Sequence, residues 1–178
     1  MDADAAISRI MEGVYISGAK GATDHPFVLS KEIKIILTFW DKQPPLVTLP
    51  FYHDVDVFTF KPKLPLANKG SIVKYADIVH DKIIHATKVQ RGSVLMCCEH
   101  GNNYSAAFAI AFIMKLKNWH FEEAKKFVKD RRRVVRLSHV MKESLMQYEQ
   151  ILFPPPPEVA VKEIISQKTE KLDDSDSN

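Results

Sequence analysis

Cysteine is nearly absent from this sequence. The 178 residues hold only two, Cys97 and Cys98, side by side. That excludes a multi-disulfide secreted scaffold and any zinc site built on three or four cysteines. No apolar run reaches the ~18 residues that a membrane-spanning helix needs. The opening MDADAAISRI lacks the basic-then-apolar order of a secretory leader. An excess of one charge sign is missing too, and a net charge of +3 does not by itself call for nucleic acid. No internal repeat is present. The expectation is an intracellular protein in a reducing compartment, cytoplasmic, nuclear or both, with no membrane partner. What remains is a globular balance, 46% apolar and 26% charged. A domain of ~150 residues buries roughly 70% of its unfolded surface and needs no covalent or metal staple.

Composition shifts once, at the proline run Pro154 to Pro157, which cannot continue a helix. The division expected is an N-terminal extension over 1–7, one domain over 8–153, and a Pro-rich linker with a polar, partly disordered tail over 154–178. Within the tail, 158–172 has the pattern of a short amphipathic helix carrying Val159, Ile164 and Ile165, or of a solvated segment. Inside the domain, strand and helix patterns alternate. Gly13 to Ser17 reads as a strand, Ile33 to Phe39 as a strand buried on both faces, and Phe51 to Val57 as an alternating strand. Ile72, Ala76, Val79 and Ile83 form one helical stripe that ends before Arg91 and Gly92. Ser93 to Cys97 is another apolar strand. Ser105 to Leu116 is apolar on every side, which predicts a helix in the core. A basic helix follows over Phe121 to Asp130, and an amphipathic one begins near Ser138 with Met141, Leu145, Tyr148 and Leu152 facing inward. The order predicts an α/β fold with a central, mostly parallel sheet flanked by helices.

The segment VLMCCEHGNNYSAAFAIAFIM carries the chemistry. A strand runs into a loop and then into a buried helix, an arrangement that gathers loop amides and a helix N-terminus around one point and so suits an anion. A cysteine at the strand end faces that potential and becomes a candidate nucleophile. The bland alternative is an inert core thiol. Cys97 alternates to the other face as a core filler. One histidine beside two cysteines has no metal-ligand spacing, so neither a metal nor a cofactor is expected.

The loop resembles the HC-x5-R-S signature of cysteine-based protein phosphatases. Cys98 stands at the nucleophile, Glu99, His100, Gly101, Asn102 and Asn103 are the five loop residues, and Ser105 matches the serine that follows. The resemblance extends from Ser8 to Leu152. Glu12 to Gly18 is similar to the opening strand of the dual-specificity phosphatases. Glu122-Glu123-Ala124 and Arg131-Arg132 resemble a later helix and its basic end, and Gln147-Tyr148-Glu149 the last helix. The wording around Ser105 to Met114, with the late Tyr-Glu, is most similar to the serine/threonine/tyrosine-interacting pseudophosphatases, which implies the phosphatase fold and a binding role. Several positions depart from the pattern. The signature arginine, a planar fork for two phosphate oxygens, falls at Tyr104. The histidine before the nucleophile falls at Cys97. Counting from Tyr52 puts the general-acid aspartate at Phe58 or Thr59, with Asp54 and Asp56 too early. The Pro-Asn expected after the basic helix is Leu137-Ser138.

These departures point to a pseudophosphatase that binds a signalling protein, whether a kinase, a phosphatase or a phosphoprotein. One alternative is a weak or atypical phosphatase using Cys98, its anion held by loop amides and by a cation from Arg131, Arg132 or Arg133. Another is a nucleic-acid module using the basic 115–136 region, where nine Lys or Arg face three acids. Thin aromatic interleaving, Trp119 and Phe121, counts against it. The same basic residues, Lys125, Lys126, Lys129, Arg131, Arg132, Arg133 and Arg136, form either a solvated face or a docking surface for acidic or phosphorylated partners. Oligomeric state is left open. The tail from Glu158 carries six acids and three lysines. If it folds back on the basic surface, deleting 158–178 raises the affinity for an acidic peptide at low salt in a fluorescence titration; an unchanged affinity rules the contact out.

Overall fold

The computed structural model describes residues 6–40, 54–61 and 70–155. The segments read above at 51–53 and 156–178, including the tail and its helix, lie outside the described residues. A five-stranded sheet forms the centre in the order β1-β2-β5-β3-β4, with β1 Ser8–Met11, β2 Val14–Ser17, β3 Ile33–Phe39, β4 Asp56–Phe60 and β5 Ser93–Cys97. Only β1 and β2 are antiparallel; β2, β5, β3 and β4 run parallel. The hairpin strand β1 has no clear sequence signal, because its four residues SRIM neither alternate cleanly nor form an apolar run. Its turn uses Gly13 at φ 72°, a conformation that suits glycine.

Among the described residues, six helices cover the sheet. Two short ones, α1 Ala19–Ala22 and α2 His25–Ser30, follow β2, and α3 Ser71–Ile84 runs on into a π-helical turn over His85–Val89. Then come α4 Tyr104–Lys117, α5 Phe121–Arg131 and α6 His139–Leu152. The stripe Ile72, Ala76, Val79 and Ile83 is buried throughout, as its spacing requires. Gly70, at the start of α3, has no side chain to cap it, so the Ser144 hydroxyl of α6 accepts from the Ile72 N–H at 2.9 Å. Ser138 caps α6 through Met141 N–H.

The sheet separates two apolar layers. The larger holds α3, α4, α5 and α6 against Ile35, Leu37, Phe39, Val94, Met96 and Cys98; the smaller holds Ala22 and Val28 against Ile33, Ile36, Leu95 and Cys97. Ile33 and Ile35 would share a face in a regular strand. A register shift between them puts Ile33 in one layer and Ile35 in the other. Continuous apolar character in β3 and β5 is thus the mark of strands covered on both sides.

Helix α4 fills the larger layer. Every residue from Ser105 to Met114 is buried. Phe108 stacks on Phe39 with ring centroids 4.3 Å apart and 9° between planes, and Phe60 completes the cluster, 5.5 Å from Phe39 and 6.5 Å from Phe108. The helix ends at Asn118 in the left-handed conformation. Among the described residues no helix is long and apolar enough to cross a membrane. Replacing Phe108 with Ala removes one of the three rings of this buried cluster, so Phe108→Ala should lower unfolding free energy by about 3–5 kcal/mol in a urea titration.

Candidate active site

The site lies where the parallel strands end. Strand β5 delivers Cys98, the loop runs through Asn103, and α4 begins at Tyr104. This edge is the normal place for a ligand in such a sheet, because helix N-termini and loops converge there. Neighbouring side chains in a strand point to opposite faces. Cys97 therefore joins the smaller layer, where burial pushes its thiol well above the ordinary range, while Cys98 turns to the larger layer and is 2% exposed. Cys98 Sγ lies 3.2 Å from Ser105 Oγ, which is fully buried. The hydroxyl can donate to a thiolate there, as a charge-assisted hydrogen bond.

The loop's shape is set from outside it. Glu99 O accepts from Ala19 N–H at 3.1 Å, and Asn102 O from Arg136 N–H at 2.8 Å. Between them, His100 O and Gly101 O accept from one guanidinium, that of Arg132, at 3.3 Å from Nη2 and 2.5 Å from Nε. The same group donates through Nη1 to Ala6 O and Ser8 Oγ, at 2.8 and 3.1 Å. Four consecutive loop carbonyls are thereby drawn outward to other elements. Asn103 lies at the N-cap of α4, but its Oδ1 accepts from Ser138 N–H at 2.8 Å instead of capping its own helix. Gly101 has φ 63°, and a Cβ there would collide with the Ser17 backbone and with Arg132 Nη2. Conformation and space both demand glycine at this position.

Arg132 corrects the expectation for the basic cluster. It is 2% exposed, so it belongs to neither a docking surface nor an anion clamp. Its donors go to the backs of loop residues, and its charge adds positive potential behind the loop. Arg131 lies over the Phe127 ring at 3.4 Å and donates to Phe127 O, and Lys126 pairs with Asp130 at 2.7 Å. Arg133 is exposed. The signal for Arg132 was present: Phe121, Ala124 and Val128 form the buried stripe of α5, and Arg132 continues it four residues on. A guanidinium on a buried stripe needs a full set of acceptors, and the loop carbonyls supply them.

Tyr104 occupies the first position of α4, is half-buried, and packs against the larger layer. Glu99 and His100 are exposed. The acid position moves relative to the count from Tyr52. Strand β4 runs to Phe60, so Phe58 and Thr59 are strand residues; Thr38 Oγ1 donates to Thr59 Oγ1 at 2.9 Å, and Lys82 lies over the Phe58 ring. Asp54 precedes the strand and Asp56 opens it, at the end away from the Cys98 loop. The stretch that follows β4, 61–70, contains no Asp or Glu. Among the described residues no group of three or more His, Cys, Asp or Glu is placed to hold a metal ion.

This geometry meets its relatives in the family model described as dual specificity phosphatase, catalytic domain, which matches residues 14–151. The chain belongs to the dual specificity phosphatase family. Mouse dual specificity protein phosphatase 14 is 39% identical over 93 residues, 51% of this chain and 46% of that protein, so the match spans about half of that relative. Mouse dual specificity protein phosphatase 18 is 26% identical over 149 residues, 83% of this chain and 74% of the relative. Two solved human structures share the fold. One is DUSP28, with a TM-score of 0.70 at 18% identity, covering 82% of this chain and 94% of that one. The other is the tyrosine phosphatase-like serine/threonine/tyrosine-interacting protein, with a TM-score of 0.71 at 21% identity, covering 82% and 96%.

Arg132 is the tie on which the loop depends. Arg132→Ala leaves the buried Gly101 carbonyl and the half-buried bonds to His100 O and Ala6 O without this donor and should cost about 3 kcal/mol in urea unfolding. Arg132→Lys should recover less than half of that, since one ammonium cannot reproduce the planar fork. Hydrogen exchange at amides 99–103 should rise in both variants.

Proposed function

We propose that this dual specificity phosphatase-like domain is catalytically deficient and acts by binding a signalling protein, in the first place a phosphoprotein. The observation that carries the reading is Tyr104. It stands where the family pattern has its arginine, and its ring packs on the core. A phenol has no charge and a single donor, so it cannot hold two phosphate oxygens in a planar fork. Loss of such a clamp costs on the order of 10²–10⁴ in rate.

Among the described residues, neither neighbouring arginine takes over the role. Arg132 is committed to loop carbonyls and Arg131 to Phe127. The leaving alkoxide of a phosphoserine ester also needs a proton, and a missing acid typically costs another 10²–10⁴-fold. Residues 61–70 offer no carboxyl group for that step. What persists is suited to holding an anion: the N-terminus of a 14-residue helix, with a loop whose carbonyls are drawn outward.

A second reading, residual hydrolysis, is favoured by the retained pair of Cys98 Sγ and Ser105 Oγ at 3.2 Å. An aryl phosphate separates the two, because its leaving group needs no acid. Wild-type turnover should not rise above that of Cys98→Ser. Tyr104→Arg should raise it by about 10²-fold or more in a Cys98-dependent way, while phosphoserine peptides stay poor substrates for want of an acid. Robust wild-type turnover abolished by Cys98→Ser would sink the binding reading.

A further inference from the structure

The basic stretch that looks continuous in sequence is sorted by the fold into separate fates. Arg132 is buried, Arg131 lies on Phe127, and Lys126 is paired with Asp130. Lys125 and Lys129, one turn apart on α5, turn instead toward a hollow of about 250 Å³ shared with Val135, Arg136, Leu137 and Lys142. Lys142 comes from the first turn of α6 and was no part of the basic run. Four cations from three segments thus converge on one small cavity. Lys125 is partly neutralised by Glu122 at 2.7 Å, while Lys129, Arg136 and Lys142 form no ion pair among the described residues. Asp130 is paired with Lys126, and Glu143 contacts His139 Nε2 at 3.2 Å.

The structure assigns this hollow as a second anion site, separate from the Cys98 loop, for a phosphoryl group carried on an acidic protein segment. Three unpaired cations around one cavity repel one another, so each gains from a shared multivalent anion. Val135 and Leu137 add an apolar wall, which suits a phosphorylated side chain better than a bare ion. The lining contains no aromatic ring, so a nucleic acid would find no stacking platform there. The site is also joined to the loop through the backbone: Arg136 N–H donates to Asn102 O, and Ser138 N–H to Asn103 Oδ1. A partner seated there lies beside the Cys98 loop. The inference deepens the phosphoprotein-binding reading and rests on it only for the protein nature of the ligand.

The test uses the full chain and a fluorescent acidic peptide with two phosphoserines, titrated by anisotropy at low and physiological salt. Lys129→Glu and Lys142→Glu should each weaken binding by about 10-fold or more and reduce its salt dependence. Lys126→Glu, outside the hollow, should change it less than about 3-fold. The double variant Lys129→Gln with Lys142→Gln, checked for a wild-type melting curve, gives the same answer without a new negative charge. The site is overturned if the pocket variants bind like wild type, or if Lys126→Glu weakens binding equally, which would mean diffuse attraction. It is also overturned if the unphosphorylated peptide or inorganic pyrophosphate binds as tightly as the phosphopeptide, or if a single-stranded RNA of equal charge binds more tightly through the same residues. Aryl phosphate turnover is scored separately, so failure of the hollow and failure of the catalytically deficient reading give different results.

Discussion

A single guanidinium holds the functional end of this domain together. Arg132 leaves α5 at its C-terminus, enters the interior, and donates to the His100 and Gly101 carbonyls, to Ala6 O and to Ser8 Oγ. It therefore joins the loop after β5 to the first strand and to the end of α5. A buried charge tolerates such a place only when its donors are matched, and fixed carbonyl dipoles match a planar fork better than a mobile ammonium would. Gly101 is the other half of this constraint. Its carbonyl reaches Arg132 only because the residue takes φ 63° and lies directly against the Ser17 backbone.

From that tie the conservative and the altered parts of the loop separate. Backbone placement depends on Arg132, Gly101, Ala19 and Arg136, all in position. Chemistry on a phosphate ester depends on side chains that point the other way: a cationic fork, a thiolate and an acid. Tyr104 alters the first without disturbing the backbone, because the first residue of a helix accepts many side chains as long as the chain can turn there. A loop can thus keep the form of an anion site after losing the groups that accelerate a reaction, since binding and transition-state stabilisation draw on different atoms.

Much of the fold was legible from periodicity. The stripe of α3, the all-apolar α4, and the doubly buried β3 and β5 follow from spacing alone, and the Cys98 loop from its position between strand and helix. Three features were not. Strand β1 is four residues long and gains its stability from pairing with β2, a contact that no local pattern records. Strand β4 starts and ends later than its alternation suggests, because Phe58 and Thr59 are held by Lys82 and Thr38 from other elements. Arg132 was read with its neighbours as surface charge, because three consecutive arginines look alike until the helix phase separates them. Of the three, only Arg132 continues the stripe of Phe121, Ala124 and Val128.

The same phase argument governs the basic surface. Charge counted along a sequence overstates the field a partner meets, since one cation can face inward while another lies on a ring or a neighbouring carboxylate. In this chain three of the nine basic residues of 115–136, Lys125, Lys129 and Arg136, gather around one hollow, and α6 adds Lys142 from outside the run. Convergence of that kind is a property of packing: α5 and α6 must be held at a fixed separation for their lysines to share a cavity. Glu149 of α6 supplies part of that hold by accepting from Phe121 N–H at 2.8 Å and contacting His120 Nδ1 at 2.9 Å, at the opposite end of α5. The helix pair is thus fastened at one end by Glu149 and at the other by the backbone bonds of Arg136 and Ser138 to the loop. The cations of the hollow are therefore carried by elements that also fix the loop's backbone.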